Sequence, residues 1–137
     1  MPSVEKTARP EFRNIGIGDI LTYRMPLAAI VSILHRISGA LMFLLLPVVL
    51  WAFDRSLRSA QGFAAVAGVL GSWPMRLLAL VLFWGLAHHL CAGLRHLYAD
   101  MCPRAVSKEA GRRSAVAALV VSLLATAAFA VYLFSGA

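Results

Sequence analysis

The 137-residue chain is short of charge, of acid above all, and of cysteine. Asp and Glu number 6 against 13 Lys and Arg, and all charged residues together make up 14% of the sequence. A soluble domain carries about 25%, so this chain has too little charge to dress a water-facing surface. Its two cysteines, Cys91 and Cys102, form neither a C-x-x-C pair nor a metal-ligand spacing, which excludes a cysteine-held metal or cluster and leaves two free thiols. No G-x-G-x-x-G stretch is present, so there is no flavin or dinucleotide fingerprint, and the chain alone is not expected to catalyse a reaction. A secretory leader is not expected either. Residues 1–25 are polar, with Glu5, Lys6, Arg9, Glu11, Arg13, Asp19 and Arg24, and they lack a short apolar stretch ahead of a cleavage site.

Apolar side chains are what the sequence has in excess. They account for 61% of residues, with a mean hydropathy of +0.79, where about 45–50% is usual in soluble domains. The excess is gathered in three runs. A helix needs about 20 apolar residues to cross a bilayer, and the runs predict transmembrane helices over about 28–53, 75–98 and 115–134. Residues 1–25 form a polar arm, and 1–137 form a single anchor domain. Pro26 suits the first turn of the first helix. Pro47 lies inside it, where membrane helices tolerate proline and can kink. The Ala- and Gly-rich stretch 59–73 suggests a short amphipathic helix around 61–70, flanked by Trp51 and Trp73 at interface depth. The predicted fold class is an all-α membrane protein.

The net charge of +7 and pI of about 10.5 would suggest nucleic acid in a soluble chain. Here the basic residues flank apolar runs, which points to membrane lipid and not to nucleic acid. Lys6, Arg9, Arg13, Arg24 and Arg36 precede or open the first span, and Arg95, Arg104, Lys108, Arg112 and Arg113 follow the second. The intervening loop has Arg55, Arg58 and Arg76 alone. The positive-inside rule then places the N-terminus in the cytoplasm and the C-terminus on the outer side.

Polar side chains inside apolar spans are costly, about 2.5–3.5 kcal/mol for a charge at mid-bilayer on insertion scales, so they call for a partner or a purpose. Ser32, His35 and Arg36 stand three and four apart and so share a helix face. A hydroxyl and a guanidinium on one face can donate hydrogen bonds to a carbonyl oxygen and stabilise charge as it develops there. They can equally be a snorkelling arginine and a serine bonded to its own backbone. His89 and His96 are two turns apart and face the same way. A neutral imidazole at the depth of His89 is a suitable axial ligand for haem iron; the bland reading is a pair of interfacial histidines. His35, Arg36, Arg95 and His96 would lie at one level, where haem propionates need compensating charge. Gly39 and Gly93 would leave room for a flat macrocycle. The third span has no histidine, so a second axial ligand would come from another polypeptide. His88 competes with His89, but only His89 shares a face with His96. The middles of all three spans are apolar, which argues against a transporter or channel.

At these residues the sequence resembles a known family. Ser32-Ile-Leu-His35-Arg36-Ile-Ser38-Gly39 resembles the signature of the cytochrome b556 subunits, the larger membrane anchors of succinate dehydrogenase. His89-Leu-Cys-Ala-Gly93-Leu-Arg95-His96-Leu-Tyr-Ala-Asp100 resembles their second signature, H-x3-G-x-R-H-x3-D. Arg9-Pro10 fits their N-terminal motif, although the run Glu-Phe-Arg-Asn that follows departs from the usual Ser-Pro-His-Leu. The resemblance implies half of a haem-binding helical bundle, completed by a smaller membrane anchor subunit, with an iron-sulfur subunit and a flavoprotein subunit docked on the cytoplasmic face of the inner membrane. It implies Ser32 and Arg36 at a ubiquinone site and His89 as axial ligand to haem b. It also implies His35, Arg36, Arg95 and His96 beside the propionates. An anchor of a quinol:fumarate reductase, or an anchor without working cofactor sites, would share the same architecture.

Overall fold

The computed structural model describes residues 16–135. Five α-helices follow one another: α1 Ile17–Thr22, α2 Leu27–Arg58, α3 Ala60–Leu70, α4 Trp73–Met101 and α5 Lys108–Phe134, with a 3-10 turn, Pro103–Val106, joining the last two. No strand occurs among the described residues. The Arg9-Pro10 motif lies outside the described residues.

α2, α4 and α5 are each long and apolar enough to cross a membrane. At 1.5 Å per residue the 32-residue α2 is about 48 Å long, against a hydrocarbon core of about 30 Å, so its ends project into the headgroup layers and beyond. This explains why the helices outrun the apolar runs that signal them. The backbone ladder continues until a residue that stops it, not until the lipid ends. α2 stops at Ser59, whose extended backbone ends one helix while its hydroxyl accepts from Gly62 N and so caps α3. α4 opens at Trp73 with proline in its first turn. α5 opens at Ser107, whose side chain accepts from Ala110 N, with Glu109 in the first turn where the helix dipole favours an acid. α2 runs unbroken through Pro47. The short helix expected around 61–70 is α3.

α4 is the central element, packed on α2 along one side and on α5 along the other, while α2 and α5 also touch. The packing is uneven along the bundle. The buried residues are Val31 and Ser38 on α2, Gly85, His88 and Ala92 on α4, and Ala115, Ala118 and Ser122 on α5. They run from the end where α2 begins and α4 finishes to about the middle of the bundle. Small side chains here let the backbones approach closely, as lipid-embedded helices require. Toward the other end the helices leave a cavity of about 830 Å³ lined by Ser56, Phe63, Val66, Arg76, Tyr132 and Leu133, among others, beneath α3.

Candidate functional site

The closely packed end also gathers three histidines. The rings of His35 on α2 and His89 on α4 lie face to face, with centroids 4.0 Å apart and planes 19° apart. His96, two turns along α4 from His89, brings its ring to 5.3 Å from that of His35. Spacing within α4 anticipates the shared face of His89 and His96. It does not anticipate that His35 lies between them, because that depends on the register of α2 against α4.

His89 is held by its Nδ1 edge. Nδ1 lies 3.0 Å from the carbonyl oxygen of His35 and 3.2 Å from the hydroxyl oxygen of Ser38. The Ser38 hydroxyl donates to that same carbonyl at 3.0 Å. Its proton is therefore spent, and Nδ1 faces two acceptors. In the neutral imidazole this puts the proton on Nδ1, donating to the carbonyl, and the lone pair on Nε2. Nε2 makes no hydrogen bond among the described residues, and His89 is half-buried, not enclosed. A ring nitrogen left free while the other donates to a backbone carbonyl is the arrangement of a metal-ligating histidine, so the residues present fit an iron held by one imidazole from this chain. No group of three or more His, Cys, Asp or Glu side chains converges among the described residues, so further ligands would come from elsewhere. His35 does not supply one. Its ring lies flat against that of His89, 4.0 Å away, and two imidazoles in face-to-face contact leave no space for an ion between their nitrogens.

His88 is placed differently. It is fully buried, its Nε2 lies 3.4 Å from the Val31 carbonyl and its ring packs on Trp84 at 5.3 Å. Nδ1 of His88 and Nε1 of Trp84 are buried without hydrogen-bond partners among the described residues. Enclosed inside the chain, His88 has no room for a prosthetic group.

The two glycines singled out in the sequence both lie against histidines. A Cβ on Gly39 would come within 2.8 Å of the His89 ring, and one on Gly93 within 3.4 Å of His35 Nε2. Gly39 makes room for the His89 imidazole, while at Gly93 the contact is close to an ordinary one.

Ser32 is half-buried and Arg36 exposed, one turn apart on α2. Every other described serine and threonine bonds a backbone group of its own helix or caps the next one. Ser32 makes no such bond, and Arg36 has no acid within 4.0 Å among the described residues. Both keep their donors available. Arg95 has a contact outside the histidine cluster. Its Nε donates to Ser114 Oγ at 2.9 Å, so the guanidinium turns toward α5 and into a groove with Tyr98 and Ala117, leaving His96 alone on the histidine side. A long side chain one residue from His96 points about 100° around the helix from it, and a hydroxyl on α5 captures it there.

Comparison with known proteins assigns the chain to a family. Residues 15–129 match the family described as succinate dehydrogenase/fumarate reductase transmembrane subunit. The succinate dehydrogenase cytochrome b556 subunit of Paracoccus denitrificans is 38% identical over 78 residues, 57% of this chain and 60% of that protein. The protein of the same name from Coxiella burnetii is 35% identical over 109 residues, 78% of this chain and 86% of that one. With most of its length matched and three membrane-spanning helices in place, the chain belongs to the succinate dehydrogenase/fumarate reductase transmembrane subunit family.

Proposed function

We propose that this chain is the larger membrane anchor of a succinate:quinone oxidoreductase, giving one axial ligand to haem b and two donors to a ubiquinone site. The observation that carries the reading is His89, whose Nδ1 proton is committed to the His35 carbonyl and whose Nε2 is free. The names of the two relatives support haem b, as cytochromes b. When bound, haem supplies a one-electron redox centre. His89 would hold it, and His35, Arg36, Arg95 and His96 would compensate its propionates, Arg95 through the guanidinium nitrogens that its Nε bond to Ser114 leaves free. The second ligand would come from the smaller anchor subunit. The iron-sulfur and flavoprotein subunits would dock at the cytoplasmic face of the inner membrane, where the Lys and Arg excess places the N-terminus.

At the quinone site the chain's own task is donation. The Ser32 hydroxyl and the Arg36 guanidinium are unspent donors one turn apart. Aimed at a quinone carbonyl, they bind the neutral ring weakly and the reduced, negatively charged oxygen more strongly, which favours reduction. Electrons would arrive from succinate through the partner subunits. The family description also covers fumarate reductase; the flavoprotein partner decides that direction, and the same donors serve both.

Two measurements test this. In the purified complex, His89→Leu should abolish the low-spin haem spectrum while His88→Leu retains it; the reverse pattern would assign the ligand to His88. Ser32→Ala or Arg36→Gln should cut succinate–quinone activity about tenfold or more, the scale of one lost charge-stabilising donor, and leave succinate oxidation by a soluble dye intact. Equal loss of both activities in a fully assembled complex would remove Ser32 and Arg36 from the quinone site.

A further inference from the structure

We infer that Ser38 is a positioning residue for His89, fixing which ring nitrogen it presents and how basic that nitrogen is. The inference rests on the reading of His89 as an axial ligand and adds a residue to it. Ser38 is 5% exposed, buried between α2 and α4. Its hydroxyl proton goes to the His35 carbonyl at 3.0 Å, so only lone pairs are left to face His89 Nδ1 at 3.2 Å. With the His35 carbonyl at 3.0 Å, the Nδ1 proton sits between two oxygens 3 residues apart on one turn of α2.

Two acceptors do what one does poorly. Turning the imidazole by half a revolution about its bond to Cβ exchanges Nδ1 with a carbon and Nε2 with Cε1. A C–H group would then face both oxygens: the His35 carbonyl would keep the Ser38 hydroxyl as donor, but the buried Ser38 oxygen would lose the N–H it accepts from, which is expensive. The ring is confined further on its faces, by His35 stacked at 4.0 Å and by the space that Gly39 leaves open. Accepting from Nδ1–H also draws that proton away from the ring and makes Nε2 a stronger electron donor. Among the described serines, Ser38 is the one whose hydroxyl joins its own helix and also a side chain on another membrane helix at a histidine.

The test is a redox titration and low-temperature electron paramagnetic resonance of haem in the purified complex. Ser38→Ala should keep low-spin haem but shift the ferric–ferrous balance toward ferrous, by up to about tenfold, equivalent to about 59 mV for one electron. Its low-spin signal should broaden as ring orientation loosens, and Ser38→Thr, which keeps the hydroxyl, should restore both. If Ser38→Ala fails to assemble, Ser38→Cys, close in size but a weak acceptor, reads the same shift. Wild-type potential and line shape in these variants, with haem lost only in His89→Leu, would reduce Ser38 to a backbone-bonding serine. Haem retained in His89→Leu would instead remove the ligand reading beneath the inference.

Discussion

At the scale of single residues, the site is set by which donors are spent and which are free. Gly39 shows how little room there is. Alanine is a better helix former than glycine by about 1 kcal/mol, so Gly39→Ala should strengthen α2 taken alone. Its methyl would meet the His89 ring at 2.8 Å, and either the ring or the helix must move. The expected result is a complex with normal helix content and a diminished reduced-minus-oxidised haem spectrum, read by circular dichroism and optical difference spectroscopy. The sequence makes Ser32, His35, Arg36, His89 and His96 legible as a set, because polar groups in apolar runs are conspicuous and helix periodicity orders them. It does not reveal the role of Ser38, the stacking of His35 on His89 or the burial of His88. Each of these depends on how α2 is set against α4, and one-dimensional spacing holds no information about that.

At the scale of elements, three long helices are legible because an apolar run longer than about 20 residues has few alternatives in lipid. Their ends are less so: α2 continues to Arg58, where the Arg58–Asp54 pair at 2.7 Å closes its last turn. α5 is the element whose part the sequence hides. It has no histidine, yet it offers Ser114 to Arg95 across the helix pair. If that contact ties α4 to α5, Ser114→Ala should destabilise the complex by about 1 kcal/mol, read as a lower melting temperature, with the haem spectrum and potential unchanged. A spectral change on that substitution would show that Ser114 acts on the haem site through Arg95.

At the scale of the whole molecule, charge sets orientation and surface sets company. With the cytoplasm on the side of the second loop, a cysteine introduced as Arg104→Cys in a Cys102→Ser chain should react with an impermeant maleimide in inside-out vesicles only. One introduced as Gln61→Cys should react in right-side-out vesicles only; the opposite labelling would invert the topology. Large apolar side chains such as Phe43, Leu44, Leu90 and Leu97 are exposed along the bundle, as expected of a chain whose neighbours are lipid and other subunits. The unequal packing of its two halves has a mechanical consequence. Stripping away lipid is expected to loosen the roomy half beneath α3 first, because the half holding the imidazoles is packed through its own buried side chains. Detergent extraction should therefore disturb the α3 end of the bundle before the histidines.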